Sequence, residues 1–417
     1  MPKIINFVSL QDTSNIFKKS QYHIMTNSYS VQSKIIFLFS LIVVLISLIS
    51  VVFPVLISVT VSTNQLEKIG IDVIEYNPYQ TGPLAGLLII SNVIIFAGYI
   101  FRKKIPKISN IFSFNIPHKI SIIIVLIVIV GYGFISFPEV NTDEAEEFSD
   151  WKGLGIESWN ISKINFVEPH MNYFLLDSSV KIFGNYKTIP LLFSMALLGV
   201  TYLFTTSLTK NRFAGIVSMG IVLQSNLFLT FDTSGTYSNF WILFYLVSLY
   251  AVVKVWFTNP ILYVSSIFCK ALTALFAPMS IFFILNSEIK KSYKIILIGM
   301  IVGILIIGAV KYGTAYNTNQ TDEELSWSEF WMGFTSFALQ MRFDTVTILL
   351  LLPLVFGLFL RSKNNKHANS ILILVVGVLL SAPLLTGITD QTNQPYRFIP
   401  LVVFFAIGIG MLFSRTR

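Results

Sequence analysis

IIFLFSLIVVLISLISVVFPVLISVTV, from Ile35 to Val61, and ISIIIVLIVIVGYGFISF, from Ile120 to Phe137, contain no charged residue. About 20 consecutive apolar residues in a helix cross the hydrocarbon core of a bilayer, so each stretch predicts a membrane span. The first starts too late and runs too long for the short apolar core of a signal peptide, and it reads as a retained span. Outward from these two, apolar runs recur near 84–101, 190–207, 213–231, 239–256, 261–285, 295–310, 346–360, 370–386 and 397–413. Composition agrees. Of 417 residues 54% are hydrophobic and 12% charged, where a soluble domain carries about 25% charged. The expectation is an all-α fold: a polytopic transmembrane helical bundle of about 11–12 spans, with an external loop carrying interfacial helices.

The net charge of +8 would suggest a nucleic-acid partner in a soluble protein, but its distribution along the chain reads as a topology signal. With the N-terminus placed in the cytoplasm, 20 of the 29 basic residues fall on the cytoplasmic side, and of the 21 acids only Asp12 and Glu288 do. Lys and Arg bias in short loops orients membrane proteins, so both termini are expected inside. The lone Cys269 permits no intrachain disulfide. Residues 1–119 form a basic cytoplasmic tail with two spans, and 120–417 a second unit with external loops 138–187 and 311–345.

The segment 261–285 conflicts with this bias if it crosses once, because Lys290, Lys291 and Lys294 would then be external. Two crossings restore it, yet about 25 residues of helix reach only about 37 Å. Two short or broken helices meeting near Lys270 to Pro278 are therefore expected, with their irregular backbone covered by protein or lining a cavity.

Four stretches could carry chemistry. Thr142-Asp143-Glu144-Ala145-Glu146-Glu147 follows the third span directly. Carboxylates there are either solvated loop or general bases. Val167-Glu168-Pro169-His170-Met171-Asn172-Tyr173-Phe174-Leu175-Leu176 precedes Lys181-Ile182-Phe183-Gly184. Tyr173, Leu176, Val180 and Phe183 recur at helical spacing, which predicts an amphipathic interfacial helix with Gly184 at its end; His170 at its start is either interfacial or a binding group. Asp232, in Thr230-Phe231-Asp232-Thr233-Ser234-Gly235-Thr236-Tyr237, returns to the same face. It either caps the next helix or joins a site. Gln394-Pro395-Tyr396-Arg397-Phe398-Ile399-Pro400 opens the last span from outside. The Arg397 guanidinium either snorkels to the interface or meets phosphate oxygens with its planar fork of donors. Lys270 in the broken segment and Arg342 at the edge of the second loop are further candidates for neutralising an anion. The six tryptophans sit near span ends or in external loops, where interfacial aromatics belong.

In order and shared sidedness these stretches, from Ile120 to Arg417, resemble the C-type glycosyltransferase superfamily. Its members are integral membrane enzymes that take sugar from a polyprenyl phosphate, among them protein O-mannosyltransferases and lipid A aminoarabinose transferases. The resemblance implies an inverting transferase acting on the non-cytoplasmic face of the cell membrane. Asp143 would be the general base, with Glu144 and Asp232 beside it. Arg397 would bind the donor phosphate, with Tyr396, His170, Lys270 and Arg342 lining the substrate site. Partners so implied are a polyprenyl-phosphate-linked sugar, a protein or lipid acceptor and membrane lipids, with no nucleic acid. No cofactor is required, although the acidic cluster is compatible with a divalent cation. The first 119 residues have no counterpart in the resemblance, and their two spans offer a docking surface for a membrane partner. The alternatives are a non-catalytic subunit or assembly partner on the same scaffold, and a transporter. A transporter calls for charges near the midplane and for symmetric halves, neither of which the sequence displays.

Overall fold

The computed structural model describes residues 29–54, 80–100, 114–142, 144, 170–315, 326–388 and 395–414. Among them the chain is all helix, with no strand. Seven helices are long and apolar enough to cross a membrane, and four further apolar segments are shorter. The protein is thus a polytopic helical bundle and an integral membrane protein.

The first four helices are α1 (Val31–Val52), α2 (Ala85–Ile100), α3 (His118–Ser136) and α4 (His170–Phe183). They are followed by α5 (Thr188–Thr209), α6 (Arg212–Leu223), α7 (Asn226–Thr230) and α8 (Phe240–Lys254). Then come α9 (Asn259–Cys269), α10 (Ala277–Asn286), α11 (Lys291–Ala315), α12 (Trp327–Gln340), α13 (Thr345–Ser362), α14 (His367–Ile388) and α15 (Ile399–Leu412). Helix α15 is the axis of the bundle. Its side chains from Ile399 to Ile407 are fully or almost fully buried, and α5, α6, α13 and α14 pack around it. The outer helices present apolar residues to the surroundings instead, as at Ile127, Ile135 and Ile306, which is the arrangement a lipid solvent requires. Helix α1 joins the same body through α12, α13 and α14, and Asn369 Nδ2 donates to Ser33 Oγ at 2.8 Å.

Hydrogen bonds define two ends of the bundle. At one end Asn211 donates to the carbonyls of Phe114 and Phe413, Asn365 to Leu208 and Arg361 to Leu412. Lys210, Arg212, Lys363 and Lys366 lie in these connections, so this is the basic end. The opposite, acidic end carries Glu139, Glu144, Asp177, Asp232, Glu329 and Asp344. Of the acids described only Glu288 belongs with the basic connections.

The segment after α8 is the broken pair that the charge bias demands. Helices α9 and α10, of 11 and 10 residues, are each about 15 Å long and are joined by a 3-10 turn from Ala271 to Phe276. Lys270 sits in extended backbone between them. Pro260 and Pro278 fall in the first turns of the two helices, where a missing N–H costs nothing. Both feet are at the basic end: Trp256, just before α9, stacks on Tyr293 at 4.2 Å, and at the end of α10 Phe283 packs against His367 at 5.6 Å while Lys294 Nζ donates to the Leu285 carbonyl. The tip is at the acidic end, where Ser266 Oγ donates to the Trp241 carbonyl.

Two expectations need correction. The loop 311–345 holds a helix, α12, whose residues Met332 to Phe337 are buried against α1 and α14. At Gly333 the approach is so close that a Cβ would lie 2.4 Å from Pro383 Cα. Residues 316–325 of that loop, and most of 138–187 before His170, lie outside the described residues. Trp241 is also no interfacial aromatic: it is 2% exposed, inside the bundle.

Candidate functional site

After α3 the chain turns through Phe137–Asn141 and is pinned by the α4–α5 connection. Lys187 Nζ donates to the Thr142 carbonyl at 2.7 Å, and Asn185 Nδ2 to the Val140 carbonyl at 2.9 Å. Helix α4 forms as its spacing predicts, and Gly184 ends it at φ +70. The face it buries is His170, Asn172, Leu176 and Ser179, leaving Val180 and Phe183 exposed. Asn172 Oδ1 accepts from Ser238 Oγ at 2.5 Å, which fixes α4 against the 231–238 loop.

Asp143 lies outside the described residues. The carboxylate of Glu144 accepts from Gly235 N at 2.6 Å and from Thr236 Oγ1 at 3.0 Å. Glu144 thereby ties the segment after α3 to the 231–238 loop, a positioning task that occupies both of its oxygens. That loop then reaches the last span, because the Tyr237 ring stacks on Tyr396 at 4.2 Å with an interplanar angle of 18°.

Lys270, at the tip of the α9–α10 pair, places its Nζ 3.6 Å from the centroid of Tyr396 and 5.7 Å from that of Trp241. Arg397 follows Tyr396 in the chain, its Nε donating to Tyr396 Oη at 3.4 Å and its guanidinium carbon 5.8 Å from the Tyr396 ring centroid. Two cations from positions far apart in sequence thus share one aromatic cradle. The Lys270 ammonium has no carboxylate partner among the described residues, only the ring faces. Tyr396 is 6% exposed, with Tyr237 stacked on it and Lys270 over its ring, so it positions the cations and offers no free face to a ligand. Arg342 stays out of this cradle, exposed with its guanidinium 4.8 Å from the Phe343 ring centroid.

Asp232 does not cap α8, which starts at Phe240 with Asn239 at its N-cap and no side-chain cap. Its side chain is 1% exposed, and its Oδ2 accepts from Tyr132 Oη at 2.7 Å and Ser136 Oγ at 2.8 Å, both on α3. Burial pushes its carboxyl up to about 6, against the lowering effect of those two donors and of the Thr233 backbone N–H. Phe231, its neighbour, lies against Tyr237 and Tyr396. The candidates Glu144, Asp232, Lys270, Tyr396 and Arg397 are therefore joined through the 231–238 loop and its partners, while His170 lies on the buried face of α4, whose Asn172 meets that loop.

Sequence reasoning missed Tyr132, Ser136, Tyr237 and Trp241. The first two carry a signal in retrospect: hydroxyls one helical turn apart near the acidic-end terminus of an apolar span, a short way before Asp143 and Glu144 in the chain. Among the described residues no group of three or more His, Cys, Asp or Glu gathers into a metal cage. No known family, no curated protein and no solved structure matches the chain.

Proposed function

We propose that this protein is a membrane glycosyltransferase that moves a sugar from a polyprenyl-phosphate donor to an acceptor at the acidic end of the bundle, the end turned away from the cytoplasm. The observation that carries the reading is the pairing of Lys270 with Arg397 over Tyr396. Lys270 has no carboxylate partner among the described residues, a costly state for a partly buried ammonium unless an anion joins it, and a phosphate monoester or diester has oxygens both for it and for the neighbouring Arg397. The cradle lies at the end of membrane-crossing helices, where a lipid phosphate sits while its tail stays in the bilayer.

In the reaction, the acceptor hydroxyl oxygen attacks the anomeric carbon while the bond from that carbon to the phosphate oxygen breaks. The hydroxyl proton goes to a carboxylate acting as base. Glu144 is occupied by the 231–238 loop, which favours its neighbour Asp143 for that task. The electron pair leaves with the polyprenyl phosphate, whose growing charge meets Lys270 and Arg397.

The test uses the full chain in lipid nanodiscs. Polyprenyl phosphate should bind to the wild type and fail to bind to the double variant Lys270→Ala, Arg397→Ala. Asp143→Asn should bind normally but transfer no sugar from a labelled donor. Equal binding by wild type and double variant removes the phosphate site, and normal turnover by Asp143→Asn removes the base.

A further inference from the structure

The buried cluster around Asp232 has more acceptors than donors. Tyr132 Oη and Ser136 Oγ are spent on Asp232 Oδ2. Ser194 Oγ is spent on the Asp232 carbonyl, and Asn239 Nδ2 on Ser194 Oγ and, at 3.5 Å, the Phe231 carbonyl. Two oxygens are left over. Asp232 Oδ1 and Asn239 Oδ1 are both buried, with no hydrogen-bond partner among the described residues, on side chains 1% and 0% exposed. No lysine, arginine or histidine forms an ion pair with Asp232 among those residues, and exposed Glu139 adds a second negative charge nearby. Buried acceptors are nearly always satisfied in folded proteins, and a buried carboxylate without a counter-charge is costly.

We propose that Asp232 and Asn239, with the hydroxyl and carbonyl oxygens around them, bind a small monovalent cation of the sodium class. The donor set is entirely hard oxygen: one carboxylate, one amide carbonyl, the hydroxyls of Tyr132, Ser136 and Ser194, and the Phe231 carbonyl. Oxygen sets of this kind suit hard cations, whereas zinc, copper and iron sites draw on thiolate or imidazole. Charge decides between valences, because only one carboxylate stands inside the cluster. The cation would join α3, α5 and α8 to the 231–238 loop and so stiffen the wall that carries Phe231 and Tyr237. This site is separate from the phosphate cradle, and the inference stands whether or not the protein transfers sugar.

Thermal unfolding of the full chain in detergent tests it, in sodium chloride against choline chloride at equal ionic strength, near pH 8. Sodium should raise the unfolding temperature by about 3–6 °C. Asp232→Asn and Asn239→Ala should each lose that response, and if the first does not fold, the second carries the test. Equal unfolding temperatures for the wild type in the two salts overturn the proposal, as does a sodium response retained in the variants. Stabilisation by acid with no dependence on sodium overturns it too, since a proton then neutralises Asp232.

Discussion

At the basic end, Arg361 donates to the carbonyl of Leu412 and Lys294 to that of Leu285, each in the last turn of a helix. At the acidic end Lys270 rests on Tyr396, a ring that Arg397 also approaches. The side chains are of the same kind, but their partners differ. A cation at a helix C-terminus meets carbonyls with no intrahelical partner and the negative pole of the macrodipole, and the arrangement is complete in itself. A cation that meets only ring faces among the described residues, as Lys270 does, lacks such acceptors. The first kind of charge orients and seals the bundle; the second kind, we argue, waits for a ligand.

The largest expected effect tests that division directly. Lys270→Met should weaken polyprenyl phosphate binding about 100-fold, as removal of one partner from a desolvated charged contact does. The same variant, freed of repulsion from Arg397, should unfold at a temperature no lower than the wild type in the absence of ligand. Lys294→Met should leave binding unchanged. Equal losses of binding from both variants would erase the distinction between the two ends.

A smaller effect, of opposite kind, belongs to Asn211. Its side chain accepts from Phe213 N to cap α6 and donates to the Phe114 and Phe413 carbonyls, so it fastens three connections with neutral bonds. Asn211→Ala should cost about 1–3 kcal/mol of stability, the range for stranding buried polar groups, with phosphate binding intact. Denaturant or thermal unfolding measures the first, and polyprenyl phosphate binding in nanodiscs the second.

How far the sequence foretold this molecule depends on which physical rule each segment obeys. The spans were legible because an uncharged helix has a bilayer as its natural solvent, and hydropathy reads that directly. The α9–α10 break was legible from a conflict: the lysines at 290, 291 and 294 had to lie on the same side as those before Asn259. Helix α12 was not, because Ser328, Glu329, Thr335, Ser336 and Gln340 make it too polar for a span. Its local signals were present all the same. Ser326 accepts from Glu329 N at the helix start, the spacing of a capping box, and Phe330, Phe334 and Phe337 follow at helical intervals. At the site, Arg397 stood out because positive charge is scarce at that end and Lys270 because it falls in the broken segment, but nothing in the chain announced that they meet. Their meeting depends on the tertiary position of a ring, Tyr396, held by a second ring, Tyr237. Such pairings leave no trace in periodicity or spacing.

That ring supplies the smallest and most discriminating expected effect. If Tyr396 acts through its face, by holding Lys270 at 3.6 Å from its centroid and stacking on Tyr237, then the hydroxyl matters little and the aromatic ring matters more. Tyr396→Phe keeps the face and gives up only the 3.4 Å bond from Arg397 Nε, a long contact that should change phosphate affinity by less than about 0.5 kcal/mol. Tyr396→Leu removes the quadrupole under the ammonium and should cost about 1 kcal/mol of phosphate affinity, the scale of a cation–π contact at a partly exposed site. The order of the two variants carries the argument. Were Phe to lose as much as Leu, the hydroxyl would be the working group, touching the ligand or steering Arg397. The cradle would then be a hydrogen-bonding site in which Lys270 has no special place, and the contrast between the two ends of the bundle would rest on Arg397 alone.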